Sequence, residues 1–375
     1  MFKHFKVPES RTAATRPWLL ALVLLVWPLA QAAKATTYNF PSDMAALGCS
    51  GSGGNYSCGP LTLAAGDTLT VTAETPTVIA VNGDFTAGEK SHISQSGRAL
   101  GLSFVVGGTT YLGDGAHVKA KLKATGVVTL GDQVKFTGNI TTSDAVINVG
   151  AGNIVVGNLT TESGVINVGA DSHIDGSIAT TVAGVINVGA QSKVTGNIIT
   201  KSGSVNMGAK SHVAGFISST LAGVVTIGAN AMVDGNITTV SGAINLGASS
   251  KVGGSVSDSI AGAITLGAKA AVGGGVSTNS GAITLGDDVN VDQSVCTGLA
   301  GAITVGDNVH VKGNVSTNDG AITVGDKSKV DGTVAAAIGA VTVASSAKVG
   351  TVMSRFKCSG SPGIKSRQWR QIFMR

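Results

Sequence analysis

Apolar positions in this chain recur at fixed distances from one glycine. The phrases Gly281-Ala-Ile-Thr-Leu-Gly286, Gly301-Ala-Ile-Thr-Val-Gly306 and Gly320-Ala-Ile-Thr-Val-Gly325 repeat one another. The closing glycine falls at 131, 150, 169, 189, 208, 228, 247, 267, 286, 306 and 325, with Gly113 before and Ala344 after. The steps alternate between 19 and 20, after a first step of 18. Three residues before this marker stands Ile or Val in every turn from Ile147 to Val341. One before it stand Val149, Val168, Val188, Met207, Ile227 and Leu246. Five after it runs a column from Val118 to Val349, and nine after it one from Leu122 to Val334. Glycine recurs seven after it from Gly138 to Gly332, except at Gln293.

Residues two apart lie on one side of a strand. The columns therefore predict three short strands per turn, with bends at the glycines. A fixed period of about 20 residues marks a solenoid, whose repeats bury their apolar side only by stacking. The expected fold is all-β, a single-stranded parallel β-helix with three sides and about 19–20 residues per turn. Thirteen marked turns at ~4.8 Å each make a rod of roughly 60 Å. The regular array spans 113–350. Residues 61–112 are strand-like but less regular and are expected to form N-terminal capping turns.

Composition agrees with thin aliphatic layers: 54 of 375 residues are Gly and only 4% are aromatic, too few for a globular core of this length. Residues 1–32 read as a secretory signal peptide. Lys3, Lys6, Arg11 and Arg16 precede an apolar run from Trp18 to Ala30, and Ala30-Gln31-Ala32 fits a cleavage site. Export to the periplasm, the outer-membrane surface or the medium is therefore expected. Residues 33–60 form a leading segment in which Cys49 and Cys58 flank a polar loop, an expected local disulfide. Pairing of Cys296 with Cys358 stays open. The net charge of +5 comes from the two ends, since residues 34–350 hold 16 basic against 20 acidic side chains. No nucleic-acid partner is expected. The tail 351–375 is basic and is expected to be disordered, or to meet anionic lipid or cell-wall polymer.

Candidate chemistry lies on outward columns. Two before the marker stand Asn148, Asn167, Asn187, Asn206, Thr226, Asn245, Thr265, Thr284, Thr304 and Thr323, then Thr342. Four before it stand Val or Ala, with Ser204 once. This is one flat, uncharged, small-residue face; the simpler expectation is that a tightly ruled sheet prefers small β-forming residues there, and the alternative is a surface suited to ice, a crystalline polysaccharide or another copy of the chain. Four after the marker the column is enriched in bases, among them His117, Lys135, His173, Lys193, His212 and His310, with acids two residues on. A solvated face is the simpler expectation there. The longer turns carry Val182, Leu221, Ile260 and Leu299, and Ile338 follows at the same spacing of 39, one in every second turn. They are expected to tuck inward at a corner; an outward apolar stripe is the alternative.

Catalysis is not expected. Asp287, Asp307 and Asp326 share a column near Asp288 and His310, but turns of about 18–20 residues leave no long loop to wall a cleft. Aspartate after glycine is ordinary turn chemistry. No cofactor, metal or small-molecule substrate is called for.

Two family resemblances follow. Val311-Lys-Gly-Asn-Val315 and Ser192-Lys-Val-Thr-Gly-Asn-Ile198 resemble the repeats of bactofilins, polymer-forming bacterial cytoskeletal β-helix proteins. That likeness implies a right-handed coil and self-assembly, although serines such as Ser172, Ser192 and Ser211 also suit left-handed coils. Tyr38-Asn-Phe-Pro41, the Cys49–Cys58 loop and Leu61-Thr-Leu-Ala-Ala-Gly-Asp67 ahead of the array resemble exported proteobacterial proteins related to MshQ, of the MSHA pilus biogenesis system. That likeness implies a surface role, with pilus components or envelope polysaccharide as partners, and brings no catalytic residues.

Overall fold

The strands of this chain stack in three ladders, as the apolar columns predict. The computed structural model describes residues 34–73, 75–96 and 101–353. The signal-peptide expectation at 1–32 and all of the tail beyond Met353 lie outside them. The first ladder holds fifteen strands, from Leu61–Leu63 to Val341–Val343. The second begins at Thr37–Phe40 and continues through Thr68–Val71 and His92–Gln95. The third begins with the hairpin of Cys49–Ser52 and Asn55–Cys58 and continues through Thr77–Val81. Every pairing among the described residues is parallel except that hairpin. In the last turns the second and third ladders fuse, because Lys329–Ile338 and Lys348–Met353 run through the corner as single strands.

Register is strict. Ile147, Asn148 and Val149 oppose Ile166, Asn167 and Val168, and the pattern repeats turn after turn. Inward side chains are buried in every ladder: Ile147, Val149, Val155 and Leu159 of one turn are at most 3% exposed. Each contributes about 1.5–3 kcal/mol by leaving water. Fifteen rungs at ~4.8 Å give a stack of about 65–70 Å.

Residues 61–112 belong to the same three ladders. Their turns are longer than those of the array: Leu63, Ala87 and Leu112 stand on successive rungs of the first ladder. The core here is aromatic, with Phe85 and Phe104 stacked at 4.7 Å between ring centres. The end of the core is closed by residues 37–58. Phe40 meets Tyr56 edge to face at 4.7 Å, and a 3-10 turn, Met44–Leu47, buries Leu47. Cys49 and Cys58 stand opposite each other in the hairpin and are joined by a disulfide. The hairpin covers a sheet edge that would otherwise offer unpaired backbone groups.

The corners explain the glycines. A Cβ on the marker Gly228 would stand 2.6 Å from backbone atoms of Gly208 and Ala209 one turn below. At Gly157, φ is +146° and a Cβ would come within 1.9 Å of the Gly138 carbonyl oxygen. Two residues past the marker the backbone is left-handed in nearly every turn, and mostly without glycine: Lys210, Asn230, Ser249 and Lys269 have φ of 57–61°. Such residues carry a cost of about 1–2 kcal/mol each. The next position is small and buried, and its polar groups serve the corner. Asn153 donates from Nδ2 to the carbonyls of Gly131 and Gly150, both at 2.9 Å, and accepts from the Val134 N–H.

One expectation is overturned. Val182, Leu221, Ile260, Leu299 and Ile338 do not tuck inward; they are 49–64% exposed. The inward place at this corner is already filled by Thr161, Thr180 and Thr200, whose hydroxyls bond corner carbonyls or each other, and by their buried successors in later turns. The extra residue of each longer turn is therefore forced out, and an apolar ridge repeats every second turn.

Candidate functional site: the flat face of the first ladder

The first ladder sets its outward residues in one straight column. Thr62, Thr86, Tyr111 and Thr129 lead to Asn148, Asn167, Asn187, Asn206, Thr226, Asn245, Thr265, Thr284, Thr304, Thr323 and Thr342, each opposite the next. All ten residues singled out in the sequence thus share one line, about 4.8 Å apart. None of the fifteen side chains is charged.

The line has two halves. In the first, asparagines bond one another: Nδ2 of Asn167, Asn187 and Asn206 each donates to Oδ1 of the asparagine one turn before, at 2.8 Å. Part-exposed Val146, Val165 and Val185 flank them. These amides spend much of their bonding capacity on each other. In the second half Thr265, Thr284, Thr304, Thr323 and Thr342 are exposed, beside exposed or part-exposed Ala263, Ala282, Ala302, Ala321 and Ala340. Side chains two apart on a strand stand roughly 6.6 Å from each other. The second half is therefore a methyl strip with a single line of hydroxyls.

The base-enriched column lies on the second ladder, from His92 and His117 through Lys135, His173, Lys193 and His212 to His310, Lys329 and Lys348. Acids pair with it. His212 Nε2 lies 2.9 Å from Asp234 Oδ2, and Asp331 receives both His310 at 2.9 Å and Lys329 at 2.7 Å. Those two hydrogen bonds, Lys329 first, hold the Asp331 carboxyl below the usual carboxylate range. Burial, then the charges of Lys135 and His92, lower the pKa of His117. With several of its bases paired, this face offers no continuous positive surface.

The aspartate column is structural. Asp287 Oδ1 accepts from the Asp307 N–H at 2.9 Å, and Asp307 Oδ1 from the Asp326 N–H at 2.8 Å. Each carboxylate thus caps the next turn. Asp307, Asn308, Asp326, Lys327 and Ser346 line a shallow depression there. Asn and Ser eight residues after the marker play the same part at the next corner, as where Asn139 Oδ1 accepts from the Asn158 N–H at 2.9 Å. That column was readable from the repeat. Among the described residues no three His, Cys, Asp or Glu side chains converge as a metal requires.

One buried group has no signal in the pattern. Asp258 replaces the inward threonine of its turn and is 1% exposed. It accepts from Thr239 Oγ1 at 2.8 Å and from the Ile260 and Gly242 N–H groups. Burial raises its pKa despite those bonds.

The fold defines the protein as a β-solenoid. Comparison with protein-family models, with curated proteins and with solved structures finds no match to this chain. Among the described residues no helix is long and apolar enough to cross a membrane.

Proposed function

We propose that the protein is a non-catalytic structural and adhesive rod of the bacterial surface. It works by display: a stiff stack holds many weak contacts in register, so that modest affinities multiply along one partner. The observation that carries this is the unbroken uncharged column from Thr62 to Thr342. The partner class is an extended envelope polysaccharide, or a pilus fibre as the MshQ resemblance suggests. Ice or a crystalline polymer is the other candidate for the face. The single hydroxyl line supplies one lattice period and not two, which favours a linear partner. Sedimentation with insoluble polysaccharide tests the proposal: wild type should co-sediment, and Thr265→Lys/Thr284→Lys/Thr304→Lys should lose at least tenfold in affinity. Equal binding by the triple variant would remove the face from the function. Thermal hysteresis in concentrated protein would move the assignment to ice.

A second reading has its own observation. The exposed ridge of Val182, Leu221, Ile260, Leu299 and Ile338 repeats about every 9.6 Å, two rungs. Two such ridges could mesh side by side and make the rod a self-assembling scaffold, as the bactofilin resemblance implies. Negative-stain microscopy and sedimentation of Leu221→Ser/Ile260→Ser against wild type decide it. Monomeric wild type at high concentration would exclude it.

A further inference from the structure

Bases gather near the N-terminal end of the stack. His117 and Lys119 are the outward residues of one strand on the second ladder, and Lys121 and Lys123 are those of the next strand, on the third. The register sets His92 beside His117 one rung earlier and Lys135 beside it one rung later. The two histidine rings stand 5.8 Å apart between centres. Lys119, Lys121, Lys123 and Lys135 are all exposed.

The pairing that breaks up the base column farther along is missing here. The register position of Lys119 passes through Thr137 and Val156 to Asp175, and Asp234 and Asp331 hold it in later turns. The ion pairs among the described residues all lie at His212 or beyond. Cross-strand neighbours of the three lysines from 119 to 123 are uncharged: Ser103 and Val105 on one side, Thr137 and Thr141 on the other. Asp114 and Asp132 stand at the corner ahead of the second ladder, beside Glu89 and Lys90. Each of the two aspartates accepts from a backbone N–H of the next turn, at 2.9 and 2.7 Å. Burial, then the charges of Lys135 and His92, lower the His117 pKa, and no carboxylate works against them.

Shape selects the partner. Side chains two apart on a strand stand roughly 6.6 Å from each other. These ammonium groups therefore form a row across the rod instead of converging on one point. A row of separated cations suits a chain of separated anions and does not enclose a single small ion. Phe104 and Phe136, the aromatic residues of the neighbouring strands, are buried, so no such ring is offered for stacking a nucleic-acid base.

We propose that this cluster is a docking surface for an acidic polysaccharide of the polyuronate class, laid across the corner so that successive carboxylates meet Lys119, Lys121 and Lys123, with His92, His117 and Lys135 beside them. The surface is separate from the flat face of the first ladder. Only the choice of a polysaccharide rests on the reading of the rod as a surface protein.

Titration calorimetry of the full-length protein with alginate, a polyuronate, tests this. Wild type should bind, and its affinity should fall at least fivefold as salt rises from about 0.05 M to about 0.3 M. Lys119→Gln/Lys121→Gln/Lys123→Gln should bind at least tenfold more weakly. Lys193→Gln/Lys210→Gln/Lys251→Gln removes the same charge from exposed positions of middle turns and should stay within twofold of wild type, with circular dichroism confirming both folds. Equal losses in the two variants would show that the charge of the whole chain holds the polymer, and would overturn the proposal, as would a wild type that does not bind. Tighter binding of a DNA duplex or of anionic phospholipid vesicles than of alginate would overturn the partner class. Co-sedimentation with a neutral insoluble polysaccharide should be unchanged in the variant at 119, 121 and 123, so this surface and the flat face fail separately.

Discussion

At the scale of single residues, the polar groups turned into this molecule matter more than the apolar ones. Asn153 is buried and satisfies two carbonyls and one amide from two turns. Asn153→Ala leaves these groups without partners and should cost about 2–3 kcal/mol in urea unfolding. Asp258 acts in the opposite sense. Its pKa is raised in the fold, so the folded chain holds the proton more tightly than the unfolded one. Stability therefore falls as pH rises from 3.8 through the raised value. Asp258→Thr restores the residue type of the column and should raise the thermal midpoint at pH 7 by about 2–4 °C. The gap should close on acidification toward 3.8, and an equal gap at all pH values would refute the assignment.

At the scale of elements, the strands are short and the corners decide. The marker glycine leaves no room for a Cβ at Gly228, so Gly228→Ala should destabilise by about 1–3 kcal/mol even though alanine suits neighbouring positions. Its urea midpoint beside that of wild type checks this. The hairpin at the third ladder's edge is closed by a disulfide between Cys49 and Cys58. Cys49→Ala/Cys58→Ala should lose about 2–3 kcal/mol, most visibly as faster proteolysis at the N-terminal end. The three strands, their inward columns and the flat face were legible because period-two burial and the fixed repeat leave their mark on every turn. The ridge at Val182 and its successors was not. An apolar residue at a corner suits either side, and the deciding fact is that the neighbouring threonines bond corner carbonyls and keep the inside. Asp258 was invisible for a related reason: one departure in a column of hydroxyls reads as variation until its burial is known.

At the scale of the whole stack, contacts run only between successive turns, so stability is a sum over neighbours. Removing residues 229–267 deletes two turns and joins Gly228 to Ala268, which takes the place of Ala229 in the repeat. The shortened chain should fold with unchanged far-UV circular dichroism, and its length by X-ray scattering should fall by about 10 Å. Removing one turn should fold as well but shift the ridge by half its period, and lateral assembly, if the ridge drives it, should then fail while the first-ladder face still binds.

The asparagine line gives the stack a direction. Asn167, Asn187 and Asn206 each donate toward the beginning of the chain, and Asn148, Asn167 and Asn187 each accept from the side of the end. The aspartate corners run the same way, with the later turn giving its N–H to the earlier turn's oxygen. Aligned dipoles of this kind reinforce one another. The rod thus has a direction along its length: in both columns the later turn gives the hydrogen and the earlier turn receives it, so a partner running along the stack meets a chemically different surface in each sense.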